Sequence, residues 1–174
     1  MLDIDGAAWM FGRNERSAMG VSNVDQISEN APRHLRAASL PGSSPQTRFV
    51  QAACGRNHSL LIGSEGQLWT AGINNLGQCG HAVCPEVTSF KLVHGSFNGG
   101  NVVKAAAGIT FSVVLTDAGK GMCMMSCSDA LWITCLPVYA FGSGEKGQLG
   151  NGRTGEHIIT GNKTAYDVHS DPSQ

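Results

Sequence analysis

Four groups of residues in this 174-residue sequence have types that could do chemistry. The first is Gly142-Ser143-Gly144-Glu145-Lys146-Gly147, which matches the G-x-G-x-x-G fingerprint of dinucleotide sites, with Asp167 twenty positions beyond its end. That fingerprint needs a helix whose N-terminus holds the pyrophosphate, and glycines at 150, 152 and 155 disfavour such a helix. We therefore predict a turn between strands here, and no cofactor.

Cysteine and histidine form two further groups, and neither has the spacing of a metal site. Cys123, Cys127 and Cys135 lack zinc-type spacing and a histidine among them. Cys79, His81 and Cys84 are closer to a ligand set, but Cys79 aligns with Leu149 in the repeats described below. A small buried hydrophobe explains that position, so we predict no metal ion.

His58 is the last candidate, as a catalytic base. It aligns with Phe111 inside a predicted strand, so we expect a packed structural residue. The sequence has no recognisable nucleophile elbow and no recurring carboxylate pair. We therefore predict no catalytic residue.

Composition favours a turn-rich all-β protein. Glycine accounts for 23 of 174 residues, and charged residues for 14% of them, against about 25% charged in typical domains. A formal net charge of -1 without a basic run disfavours nucleic-acid and acidic-membrane partners. The N-terminus has no signal-peptide pattern, so we expect the six cysteines to be thiols rather than disulfides.

Internal repeats explain the glycine content. The segment Val50–Ile62 aligns with Val103–Leu115, and Glu65-Gly66-Gln67-Leu68-Trp69 has counterparts near residues 5–9 and 118–140. The spacing is 53 residues for Gly55 to Gly108 and for Gly66 to Gly119. Each unit predicts four short strands, a size typical of a propeller blade. The positions expected to hold the repeats together are Gly6, Gly12, Gly55, His58, Gly66, Trp69, Gly72, Gly108, Gly119, Gly142 and Gly150.

Residues 121–137 interrupt the third repeat. Gly119 and Gly142 are 23 positions apart, seventeen more than the six that separate Gly66 from Gly72. The inserted piece holds three of the six cysteines and three of the six methionines. It is either a displayed functional loop or a translated intron, since Gly-Met-Cys can be encoded GGTATGTGC, which contains the fungal splice donor GTATGT. We favour the retained intron.

The motifs carry a family resemblance. Ala53-Cys54-Gly55-Arg56-Asn57-His58-Ser59, with the following Glu-Gly-Gln-Leu-Trp and Ala-Gly-Ile-Asn-Asn-Leu-Gly-Gln, resembles the regulator-of-chromosome-condensation repeat. The first motif and Tyr166-Asp167 are similar to the second, telophase-disc type regulator of that family. Kelch repeats have a similar period, but their regular double glycine is missing here.

The resemblance implies an all-β fold, a partial β-propeller of about three four-stranded blades from a seven-bladed ring. We expect poor stability in isolation, because an open arc exposes strand edges. The predicted divisions are a blade end at 1–20, a variable connection at 21–48, a blade at 49–100, a blade at 101–157 interrupted at 121–137, and the start of a further blade at 158–174.

The resemblance also implies a function. Family members bind small GTPases and act as guanine-nucleotide exchange factors without covalent catalysis. We expect a protein-interaction platform linked to small-GTPase regulation and mitosis, with nuclear or chromosome-associated localisation and chromatin-associated proteins as further candidate partners. The alternative localisation is the cytoplasm. The alternative function is a non-enzymatic scaffold or an inactive truncated product. Candidate partner-binding residues in turns expected to be exposed are Arg13, Asn14, Arg56, Asn57, Asn74, Asn75, Glu145 and Lys146.

Overall fold

The computed structural model of the protein describes residues 1–21, 31–94, 97, 99–117 and 138–150, and the backbone of five short strands outside these ranges. In chain order the strands are β1 (Ala7–Met10), β2 (Gly12–Arg13), β3 (Gln26–Ile27), β4 (Arg33–Arg36), β5 (Phe49–Cys54), β6 (His58–Gly63), β7 (Leu68–Ile73), β8 (Glu86–Leu92), β9 (Val102–Ala107), β10 (Phe111–Thr116), β11 (Gly121–Met122), β12 (Thr134–Cys135), β13 (Val138–Ser143), β14 (Ile158–Ile159) and β15 (Tyr166–Asp167). A single turn of 3-10 helix, Ala37–Ser39, is the only helix in the described part of the chain.

The second blade is an antiparallel sheet in the order β5-β6-β7-β8. It contains the four short strands that the repeat predicts, and the fourth, β8, runs from Glu86 to Leu92. The hairpin between β6 and β7 turns at Gly66, whose φ of 79° favours glycine. Its N–H donates to the Gly63 carbonyl at 3.0 Å, which closes the turn.

Among the described strands, β1 and β4 of the first blade correspond to β7 and β8 of the second, and Leu2 forms a single antiparallel bridge with Ala8. Strand β1 pairs with β4, and β2 pairs with β3. Strand β4 lies in the segment 21–48 that the sequence assigns to a variable connection. The structure adds it to the blade, because it supplies backbone partners for the outer edge of β1.

The third blade repeats the second with an interruption. Strands β9, β10 and β13 pair as β5, β6 and β7 do. Strands β14 and β15, in the segment that the sequence assigns to a further blade, both pair with the outer edge of β13. Within the insert β11 pairs with β12, and its remaining residues, 123–133 and 136–137, lie outside the described part, as do Gly119 and residues 168–174.

The core lies between blades, because successive side chains of a strand face opposite sides of its sheet. Leu60 and Ile62 of β6 join a cluster with Val114, Tyr139 and Phe141 of the third blade. Between them in sequence, Leu61 faces the other way, into a cluster with Ala8 of the first blade. The three blades are therefore stacked side by side.

Trp69 is the largest side chain of the cluster between the first two blades, and it has no exposed surface. Its ring packs edge-on against Phe49 with centroids 5.9 Å apart, and its indole N–H donates to the Pro41 carbonyl at 2.9 Å. Apolar burial and a satisfied N–H together stabilise this position.

Among the residues described, no helix has the length and apolar character needed to cross a membrane.

Candidate partner-binding face

The turns that carry the candidate residues lie together at one end of the blades. Strands β5 and β7 run toward this end because both are antiparallel to β6, and β9 and β13 do so because both are antiparallel to β10. The blades have the same orientation, since the glycine before β1 and the glycine before β7 each bond the start of the next blade's first strand. The turns there are residues 14–21, 55–57, 74–85, 108–110 and 144–150. We call this end the turn face, and all eight candidate partner-binding residues lie on it or at its edge.

Asn14 and Asn74 differ from the expectation of exposed side chains. Asn74 has no exposed surface and Asn14 only 5%. The amide oxygen of Asn74 accepts from the Cys79 N–H at 3.0 Å, and that of Asn14 accepts from the Met19 N–H at 2.8 Å. These side chains turn inward because they replace backbone partners that the long turns cannot supply. They fix the turn face and are not presented on it.

Glycines at the ends of β7 and β13 allow close approach of the neighbouring strand. Gly72 and Gly142 have φ of 114° and 113°. A Cβ on Gly142 would lie 2.6 Å from the Thr110 carbonyl oxygen, and one on Gly72 would overlap the Asn57 carbonyl oxygen. The third blade has Gly144 where the others have asparagine, and its turn closes through the Gly147 N–H donating to the Gly144 carbonyl at 3.0 Å. Residues 142–147 therefore form an inter-strand turn.

Hydrogen bonds between blades hold the turn face together. The Ser112 hydroxyl of β10 donates to the Gln78 carbonyl at 2.8 Å and also lies 2.9 Å from His58 Nε2. A hydroxyl has one proton to donate, so His58 Nε2 must be the donor to Ser112. His58 thus links the second blade to the third.

His58 is a neutral imidazole at this buried position. The residue is 1% exposed, and burial lowers the pKa of His58 to about 4. Within the described residues, Nδ1 has no hydrogen-bond partner. It lies against Gly55, where a Cβ would lie 2.5 Å from Nδ1 and from the Gly108 carbonyl oxygen. In the third blade, the Phe111 ring packs over Gly108 in the same way.

At the opposite end of the blades, backbone hydrogen bonds also join neighbouring blades. The Gly6 carbonyl accepts from the Phe49 N–H at 2.8 Å, and the Gly66 carbonyl accepts from the Val102 N–H at 3.0 Å. Each bond joins a hairpin glycine to the first strand of the next blade. Midway along the blades, the Gln51 amide donates to the Ala105 carbonyl at 2.8 Å and accepts from its N–H at 3.1 Å.

Cys79, His81 and Cys84 are arranged for packing. The Thr70 hydroxyl donates to the Cys79 carbonyl at 2.7 Å, so its 3.0 Å contact with His81 Nε2 makes that nitrogen a donor. Burial lowers the pKa of His81 to about 4 and raises the pKa of the Cys79 thiol to about 12. In the part of the chain that the structure describes, no three His, Cys, Asp or Glu residues are grouped to hold a metal ion.

Charged side chains are exposed on the turn face. Arg13 pairs with Glu15 at 2.6 Å, and Lys146 pairs with Glu145 at 3.0 Å. Arg16, Arg56 and Asn75 are exposed, and Asn57 is half-buried. Arg13, Arg16 and Arg56 share a cleft of about 360 Å³ between the first two blades.

Comparison with known families identifies the repeats. Two models of the regulator of chromosome condensation (RCC1) repeat match residues 5–62 and 49–78. The chain contains RCC1 repeats. It is 29% identical over 167 residues to "Protein RCC2 homolog" of Xenopus laevis, an alignment that covers 96% of this chain and 28% of the relative. It is also 30% identical over 168 residues to the human "RCC1-like G exchanging factor-like protein", covering 90% and 31%.

A solved propeller shows the same fold. The structure of Prp20p from Saccharomyces cerevisiae, titled with its binding properties to Gsp1p and histones, aligns with a TM-score of 0.65 at 18% identity, over 92% of this chain and 34% of that one. This chain thus spans about a third of the length of these proteins. The RCC1 repeats here form part of a β-propeller.

Sequence reasoning did not single out Ser112 or Gln51 as links between blades. The sequence does contain one indication of these links. Ser112 lies 54 residues after His58, and Ala105 lies 54 residues after Gln51, which is one more than the repeat spacing in both cases. At these two places, residues 54 positions apart on inner strands of neighbouring blades therefore face each other.

Proposed function

We propose that the chain is part of an RCC1-type propeller that binds protein partners through the turn face, and that one such partner is a small GTPase whose nucleotide exchange it promotes. Among the relatives, the human RCC1-like G exchanging factor-like protein supports this by its name. The support from the structure is the turn face itself.

The observation that carries the proposal is the combination of a rigid base and an exposed polar edge. Buried amides at Asn14 and Asn74 fix two turns, and the His58–Ser112 bond locks two blades together. Exposed side chains at Asn75, Glu145 and Lys146 then project from turns whose backbones are already ordered. Such preorganisation lowers the entropic cost of binding.

Nucleotide exchange requires a surface that binds the GTPase in a suitable geometry, and it requires no covalent chemistry. A partner that stabilises the nucleotide-free GTPase accelerates release of the nucleotide, because the loss of nucleotide then costs less free energy. Polar turns from successive blades can supply such a surface. The proposal therefore needs no catalytic residue.

The alternative is a non-enzymatic scaffold on the same face. It requires only that the turn face binds a partner, with no effect on nucleotide release. Nuclear or chromosome-associated localisation belongs to both alternatives, and the description of the repeat as a regulator of chromosome condensation supports it. Imaging of a fluorescent fusion through the cell cycle tests it.

Release of a fluorescent GDP analogue from a panel of small GTPases, with and without the 174-residue chain, tests the proposal. We expect faster release from at least one GTPase. Asn75→Arg places a long charged side chain on the turn face and is expected to reduce that effect. Gln46→Arg makes a comparable change at an exposed position near the opposite end and is expected to leave it intact. Binding without faster release from any GTPase would support the scaffold instead.

A further inference from the structure

We propose that the cleft between the turns of the first and second blades binds a short acidic segment of a partner protein, through Arg16 and Arg56. The inference rests on the proposed function, because it names the partner chemistry that one part of the turn face selects. The cleft is lined by Arg13, Glu15, Arg16, Ala18, Arg56 and Asn57.

The charges of the cleft are unbalanced. Three guanidinium groups face one carboxylate, and Glu15 is already engaged by Arg13, whose Nη2 and Nε donate to the same Oε1 at 2.6 and 3.2 Å. Within the described residues, neither Arg16 nor Arg56 forms an ion pair. Two exposed guanidiniums therefore remain to bind an anion.

The backbones that carry these two arginines are fixed. Arg16 lies in the turn that the Asn14 amide closes, where the Ser17 N–H donates to the Asn14 carbonyl at 2.9 Å. Arg56 lies in the turn closed by the Gly55 N–H donating to the His58 carbonyl at 2.8 Å. Although forty positions apart in sequence, the arginines are presented together by two rigid turns.

A carboxylate is the anion that the cleft favours. The planar guanidinium fork matches a carboxylate with two parallel hydrogen bonds. A nucleic-acid backbone needs a continuous basic track, whereas the turn face carries Glu15 and Glu145 beside its arginine and lysine residues. At about 360 Å³ the cleft lies at the small end of ligand pockets, which suits one or two acidic side chains from a segment crossing the face.

Fluorescence anisotropy of a labelled hexaglutamate peptide tests the inference with the 174-residue chain. We expect binding that weakens as salt is added, because exposed charges are screened. Arg16→Glu and Arg56→Glu are each expected to weaken binding by up to about fivefold, since an exposed ion pair contributes up to about 1 kcal/mol. Arg56→Lys retains the charge but loses the fork, so an intermediate loss is expected.

The matched control is Arg48→Glu, which makes the same charge change at an exposed position near the opposite end of the blades. It retains the Cβ and Cγ atoms that pack near Gly6. Equal weakening by this control, or no binding of hexaglutamate by the unmodified chain, would overturn the inference. Binding of a hexathymidylate through the same arginines as tightly as hexaglutamate would also overturn it, in favour of a nucleic acid.

The two proposals fail separately. If hexaglutamate binds through Arg16 and Arg56 but no GTPase releases nucleotide faster, the acidic-segment site stands and the exchange function fails. If a GTPase responds equally to the unmodified chain and to the Arg16→Glu/Arg56→Glu double variant, and hexaglutamate does not bind, the exchange function stands and the acidic-segment site fails.

Discussion

Ser112→Ala tests the link between the second and third blades. The Ser112 hydroxyl accepts from His58 Nε2 at 2.9 Å and donates to the Gln78 carbonyl at 2.8 Å. His58 and Gln78 are 1% and 2% exposed, so water cannot replace the lost hydroxyl readily. Each buried group left without a partner costs about 1–3 kcal/mol. Two groups lose their partner, so we expect a loss of about 2–6 kcal/mol in the free energy of unfolding.

The same strand supplies a matched control. Thr116 is fully buried on β10, and its hydroxyl has no hydrogen-bond partner among the described residues. Thr116→Val removes that hydroxyl with little change of shape, so we expect the free energy of unfolding to stay the same or to rise by up to about 1 kcal/mol. Urea unfolding followed by tryptophan fluorescence measures both variants. A Ser112→Ala loss within about 0.5 kcal/mol of the control would refute the network and its donor assignment, since typical surface changes fall in that range.

The other predictions concern protonation and backbone geometry. The pKa values of His58 and His81 are lowered to about 4, so the unfolded chain binds more protons than the folded chain between pH 4 and pH 6.5. The free energy of unfolding should therefore fall on acidification through that window, by up to about 1.4 kcal/mol per pH unit for each histidine. A urea midpoint that stays constant between pH 7 and pH 4 would contradict this. Gly55→Ala should lower the melting temperature, because its Cβ would overlap the His58 ring and overpacking costs about 1–3 kcal/mol; an unchanged melting temperature would count against the ring-over-glycine contact. Ser17 has a φ of 54° where the aligned Gly77 and Gly147 have 74°; Ser17→Gly should therefore stabilise the chain by up to about 1 kcal/mol in urea unfolding, and destabilisation would show that the turn needs serine.

The repeat pattern predicts most of the strands because glycine, aromatic and small residues recur at fixed spacing. The alignment of His58 with Phe111 indicates that both rings occupy one structural position, and both do pack over a glycine. The roles of β14 and β15 did not follow from the pattern. Their segment resembles the start of a blade, but the outer edge of β13 offers unpaired backbone groups that these strands satisfy.

The turn face was predictable in place but not in detail. Hairpin alternation puts the turns of all blades at one end, which a repeat of four strands already implies. The sequence gives no sign that Asn14 and Asn74 point inward while Asn75 points outward, because asparagine suits both turn interiors and surfaces. The cleft between Arg16 and Arg56 depends on how neighbouring blades stack, which sequence spacing alone does not specify.

Hydrogen–deuterium exchange of the 174-residue chain, with and without a GTPase that responds in the release assay, tests the central claim most directly. We predict slower exchange in residues 14–20, 55–58 and 74–80, which form the turn face, with no change near residues 45–48 and 64–66 at the opposite end. Protection confined to the opposite end would contradict the assignment of the turn face as the partner-binding surface.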